Sequence, residues 1–149
     1  MIEKQASQGA CDLPDAIAYP DADSVVMAAT RSDKDWVWRV DLKSQSVEKL
    51  ALPQARTPSG QQVRDIDHLS PDGQVFAIQR KRFSYGLFDN FKYQGDEIAV
   101  VQVHPLKLLG VIRPKHETSI KGFAVDHRDG KVTLLGYWDD QWQREQLNP

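Results

Sequence analysis

The chain has 149 residues, 40% of them hydrophobic and 27% charged, with a formal net charge of -2 at pH 7. This is a globular composition with length for one ordinary domain, and it excludes an intrinsically disordered chain and a whole-molecule field that would draw it to nucleic acid or to an acidic membrane surface. Its single cysteine, Cys11, excludes an internal disulfide and a Cys-rich zinc site, and no apolar run approaches the roughly 18 residues of a membrane helix.

Residues 1–15 are polar and aperiodic, and are expected to form a tail or a strand contributed elsewhere. Gly9-Ala10-Cys11 looks like the end of a lipid-attachment signal. The segment before it, Ile2 to Gln8, is polar and short and lacks the apolar stretch that a signal peptide needs. A soluble chain with a free thiol near its terminus is therefore expected.

From Ala16 onward, short runs rich in Val, Ile, Trp and Leu alternate with turn residues, which favours strands over helices. The first unit, residues 16–53, is expected to hold four strands. In its third strand Trp36, Trp38 and Val40 share one face while Val37 and Arg39 share the other. Gln54–Gln62, with Pro58, Ser59 and Gly60, is a connection. The second unit, residues 63–114, carries the hairpin signal Asp72-Gly73. It is then interrupted over Lys81–Glu97 and resumes with strands at Ile98–Val103 and Leu108–Arg113. The third unit, residues 119–149, has strands at Phe123–Val125, Val132–Tyr137 and Trp142–Leu147, and no fourth.

One phrase recurs at the head of each unit. It is Tyr19-Pro20-Asp21 before Val25-Val26-Met27-Ala28, then Leu69-Ser70-Pro71-Asp72-Gly73 before Val75-Phe76-Ala77-Ile78, then Asp126-His127-Arg128-Asp129-Gly130 before Val132-Thr133-Leu134. A strand, turn and strand recurring at about 50 residues marks a repeat architecture.

Leu69-Ser70-Pro71-Asp72-Gly73-Gln74-Val75-Phe76-Ala77 resembles the Ser-Pro-Asp-Gly motif of the WD40-like, TolB-type β-propeller repeat. Trp36-Val37-Trp38-Arg39-Val40-Asp41-Leu42 is similar to that family's third strand. The resemblance implies an all-β fold of antiparallel propeller-type blades, about three in number with the last incomplete. The first unit departs from the pattern with Ala22-Asp23 in place of Gly, and the third with His127-Arg128 in place of Ser-Pro. Closed propellers have about four to eight blades, so three imply a fragment, an unusual open arrangement, or a homo-oligomer in which a second copy completes the ring. Blades share no catalytic residue, so the resemblance carries none over.

The implied geometry puts the Lys81–Glu97 interruption and the turn after Tyr137 on one loop face. The candidate binding residues are therefore Arg80, Arg82, Phe83, Tyr85, Phe88, Phe91 and Tyr93, with Tyr137 and Trp138. Aromatic anchors beside Arg are the residue types that dominate protein interfaces. The bland alternative is that the arms of the interruption lengthen the second hairpin and its aromatics cover their own base.

No catalytic group is indicated. Ser70 is not in a nucleophile elbow and the glycines form no phosphate cradle. His68, His104, His116 and His127 lack metal-ligand spacing, and Asp126, Asp129, Asp139 and Asp140 lack that of a calcium loop. The expectation is a non-catalytic scaffold or protein-interaction module with a protein partner, no cofactor, no metal, no nucleic acid and no membrane. The alternatives are a sugar- or small-molecule-binding propeller that stacks its ligand on Tyr137 and Trp138, and a portion of a larger propeller enzyme.

Overall fold

The computed structural model describes residues 16–31, 34–53, 66–85, 87 and 90–147. The protein is all-β, and its strands form three antiparallel sheets. The first holds β1 (Ala16–Asp21), β2 (Ser24–Arg31), β3 (Lys34–Asp41) and β4 (Val47–Leu52). The second holds β5 (Ile66–Leu69), β6 (Val75–Tyr85), β7 (Phe91–Gln102) and β8 (Lys107–Ile112). The third holds β9 (Gly122–Arg128), β10 (Lys131–Trp138) and β11 (Gln141–Leu147). Each is a simple meander in which strands pair in chain order, as short polar turns between consecutive strands require.

The second sheet lies between the other two and is apolar on both faces. Its even positions on β6, Phe76 and Ile78, with Ala99 and Val101 opposite them, pack against Val26, Ala28, Val37 and Leu52 of the first sheet. Its odd positions, Val75 and Ala77, with Ile98 and Val100, pack against Phe123, Val125, Val132, Leu134 and Trp138 of the third. This explains why β6 and β7 contain unbroken apolar runs: a strand covered on both faces has no solvent side on which to place polar residues. Burying side chains the size of Phe76 and Ile78 stabilises by roughly 1.5–3 kcal/mol each.

The first sheet has a further buried face, built from Val25, Met27, Ala29, Trp38 and Val40. Trp36, Trp38 and Val40 share it, as the alternation in β3 dictates. The outer face of the third sheet is different, with Leu135 and Trp142 exposed. Tyr137 sits opposite Trp142 in the ladder, and their rings meet edge to face at 5.3 Å.

The recurring turn phrases come together at one end of the molecule. Gly73 adopts φ +72°, and its Cα lies so close to the carbonyl of Pro20 that a Cβ would collide with that oxygen. Asp72 Oδ2 lies 2.6 Å from His127 Nδ1. The first two turns also close on themselves: Ser70 Oγ donates to Asp72 Oδ1, Val75 N donates to Ser70 Oγ, and Asp23 N and Ser24 Oγ donate to Asp21 Oδ1. The strands that precede these turns are neighbours too, β1 against β5 and β5 against β9.

Candidate functional site

The site begins where the second sheet outgrows its neighbours. β5 accompanies β6 only from Ile78 to Phe76, and β8 accompanies β7 only from Ile98 to Gln102. β6 and β7 continue to pair as far as Tyr85 opposite Phe91. Beyond Arg80 and Glu97 the sheet is therefore two-stranded, with no lateral strand among the described residues. No Pro or Gly interrupts residues 75–85, so nothing local ends β6 earlier.

A two-stranded ribbon is marginal in water unless it is tied down. Arg82 Nη2 donates to the carbonyl of Gln94, Gln94 Nε2 donates to Ser84 Oγ, and the rings of Phe83 and Tyr93 sit 5.8 Å apart. Tyr93 OH donates to Asp96 Oδ1 at 2.7 Å, linking the ribbon to its base. At the far end Leu87 is 83% exposed.

Two adjacent rungs at the base hold the ribbon to the sheets on either side. On the face toward the first sheet, Arg80 is only 3% exposed. Its Nη1 donates to Asp35 Oδ2 at 2.8 Å and to the carbonyl of Pro53, and its Nη2 donates to Glu97 Oε1. Glu97 accepts a further bond from Arg113 Nε. On the opposite face Asp96 Oδ2 accepts from Gln79 Nε2 and from Ile120 N, and Gln79 Nε2 also donates to the carbonyl of Ile120. Asp96 N donates to the carbonyl of Thr118. Buried charges are tolerated when paired and hydrogen-bonded. Arg80 pairs with both carboxylates, although its Nε has no hydrogen-bond partner among the described residues, and the network ties β3, β7 and the 113–121 connection to the base of the ribbon.

The structure thus gives the nine candidate binding residues different stations. Arg82, Phe83 and Tyr93 are on the ribbon. Tyr85 and Phe91 face each other in its ladder, while their side chains, and all of Phe88, lie outside the described residues. Arg80 is an interior tie rather than a surface group. Tyr137 lies against Trp142 on the outer face of the third sheet, and Trp138 is buried against the second sheet. No protein-family model matches the chain, and no curated protein matches it either.

Sequence reasoning missed Lys92, Leu87 and Trp142 as exposed groups. The signal for Trp142 was present, since it falls directly across the Asp139-Asp140 turn from Tyr137. Among the described residues no cluster of three or more His, Cys, Asp or Glu side chains is arranged to hold a metal, and no helix is long and apolar enough to cross a membrane.

Proposed function

We propose that this chain is a non-catalytic scaffold of propeller type, its three sheets serving as blades, that presents the β6–β7 ribbon to a protein partner. The observation that carries this is the ribbon itself: arms with no lateral strand among the described residues, stiffened along their length and anchored in a buried ion-pair network at their base. A preformed projection of this kind loses little conformational entropy on binding, and loops on a rigid frame are where recognition residues gather. The blade assignment is supported by the meander order, by the side-by-side first strands, and by the contacts from Pro20 to Gly73 and from Asp72 to His127.

A second copy completing a ring would need the outer faces of the first and third sheets together, and that of the first is already buried. A stacking site for a sugar is disfavoured by the burial of Trp138. The test is photocrosslinking in an extract of the source cells, with the crosslinker at position 87 or, as a control, at position 44 on the β3–β4 turn. A discrete protein adduct from position 87 alone is expected. Equal adducts from both positions, or none from 87, would remove the ribbon as an interface.

A further inference from the structure

We propose that the β6–β7 ribbon and the adjoining 113–121 connection bind an extended acidic protein segment that also carries an apolar side chain. The proposal rests on the ribbon being the contact surface and adds the chemistry of what it contacts.

The argument is that the fold sorts charge at this end of the molecule. Segments 81–97 and 113–121 contain six Lys or Arg residues and four Asp or Glu residues, which is close to balance. In space they are far from balanced. Asp96 and Glu97 are buried, 2% and 1% exposed, and committed to interior partners. Asp89 lies outside the described residues, which leaves Glu117 as the one exposed carboxylate described in these segments. Lys81, Lys92, Lys115, Lys121 and Arg113 are exposed, and Arg82 is partly so. A net charge of -2 for the whole chain conceals a cationic end made by drawing the local carboxylates inward.

The form of the ligand follows from the backbone. Among the described residues β6 beyond Ile78 and β7 on the ribbon side of Ile98 pair with no strand but each other, and the Thr118 backbone borders β7 only at Gly95 and Asp96. A sheet edge of this kind is the template on which an extended peptide adds as a strand. Lys81 and Lys92 stand on these arms, and the exposed Leu87 at the far end adds apolar surface. Glutamate or aspartate in alternation with an apolar residue complements both features. A nucleic acid or a membrane fits less well, because Glu117 and the Asp139-Asp140 turn stand beside the cations and a continuous polyanion would meet them.

Lysines on an open edge also keep strands from pairing with their own kind, and the experiment separates that role from ligand binding. Fluorescence anisotropy of a labelled short peptide alternating glutamate and leucine is measured with the full chain and with the Lys81→Ser/Lys92→Ser variant. Parallel arms use the lysine–leucine counterpart, a single-stranded oligonucleotide and phosphatidylserine vesicles. Binding of the acidic peptide alone, weakened by salt and reduced about fivefold to tenfold in the variant, is expected for two partly screened ion pairs. Tighter binding of the oligonucleotide or the vesicles would overturn the proposal. So would an unbound acidic peptide together with self-association of the variant, which would assign the lysines to edge protection. If crosslinking from position 87 persists while the peptide and the lysines have no effect, the acidic preference falls and the ribbon interface stands.

Discussion

Asp72 and His127 meet at 2.6 Å although 55 residues separate them, and each belongs to the turn phrase of its own repeat. The contact joins the second sheet to the third at the end where Gly73 abuts Pro20 of the first. Burial pushes the Asp72 carboxyl up, but hydrogen bonds from Ser70, from His127 and from Gln74 N outweigh it and hold the group below its ordinary value of 3.8. A depressed carboxyl stabilises the fold above the unfolded value, and that contribution is lost as pH falls through the folded one. Asp72→Ala should therefore lower the melting temperature at pH 7, by the equivalent of about 1 kcal/mol for a part-exposed acceptor. Melting curves below pH 3.8 should show the variant and the parent converging.

Gly73 and Gly130 occupy corresponding turns with nearly equal φ, +72° and +73°, but a Cβ at 130 meets nothing while one at 73 meets the Pro20 carbonyl. Gly130→Ala should cost about 1–2 kcal/mol, the left-handed penalty alone. Gly73→Ala adds a backbone clash between two sheets and should cost clearly more, about 3 kcal/mol or above. Chemical denaturation of the pair measures the difference directly, and equal losses would refute the packing of the two turns.

Arg80→Met leaves Asp35 and Glu97 buried without their guanidinium and should destabilise by about 3–5 kcal/mol. Arg113→Met removes a cation from the same Glu97, but Arg113 is itself half exposed, and the loss should stay near or below about 1 kcal/mol. Denaturant midpoints of the two variants test this ordering.

Trp142 is 67% exposed, whereas Trp38 and Trp138 are buried. Acrylamide should quench a component of the fluorescence that disappears in Trp142→Phe and persists in Trp138→Phe. The reverse pattern would place Trp138 at the surface.

The strands were legible wherever one physical rule dominated. Alternation fixed the shared face of Trp36, Trp38 and Val40, and the Asp-Gly pairs fixed the turns at Gly73 and Gly130. The extent of β6 was legible only as one of two readings, because Lys81–Glu97 looks like an interruption until the pairing partner is known. The ladder out to Tyr85 opposite Phe91 bears out the alternative in which its arms lengthen the second hairpin. Arg80, Lys81 and Arg82 form one basic cluster in sequence, yet strand geometry sends Arg80 inward and Lys81 outward. Nothing near Arg80 in the chain announces Asp35, its partner 45 residues away. Trp138 beside a turn suggested a loop-face residue. Its period-two relation to Val132, Leu134 and Gly136 was the contrary signal, and burial shows that the signal governs.

The most direct test of the account replaces residues 82–95 with Asn-Gly, a two-residue turn that can close the ladder at Lys81 opposite Asp96. The shortened chain is predicted to keep its β-sheet circular dichroism and to melt within about 5 °C of the parent, while losing capture of the protein that crosslinks at position 87. Undiminished capture by the shortened chain would contradict the central claim that the ribbon is where this scaffold meets its partner.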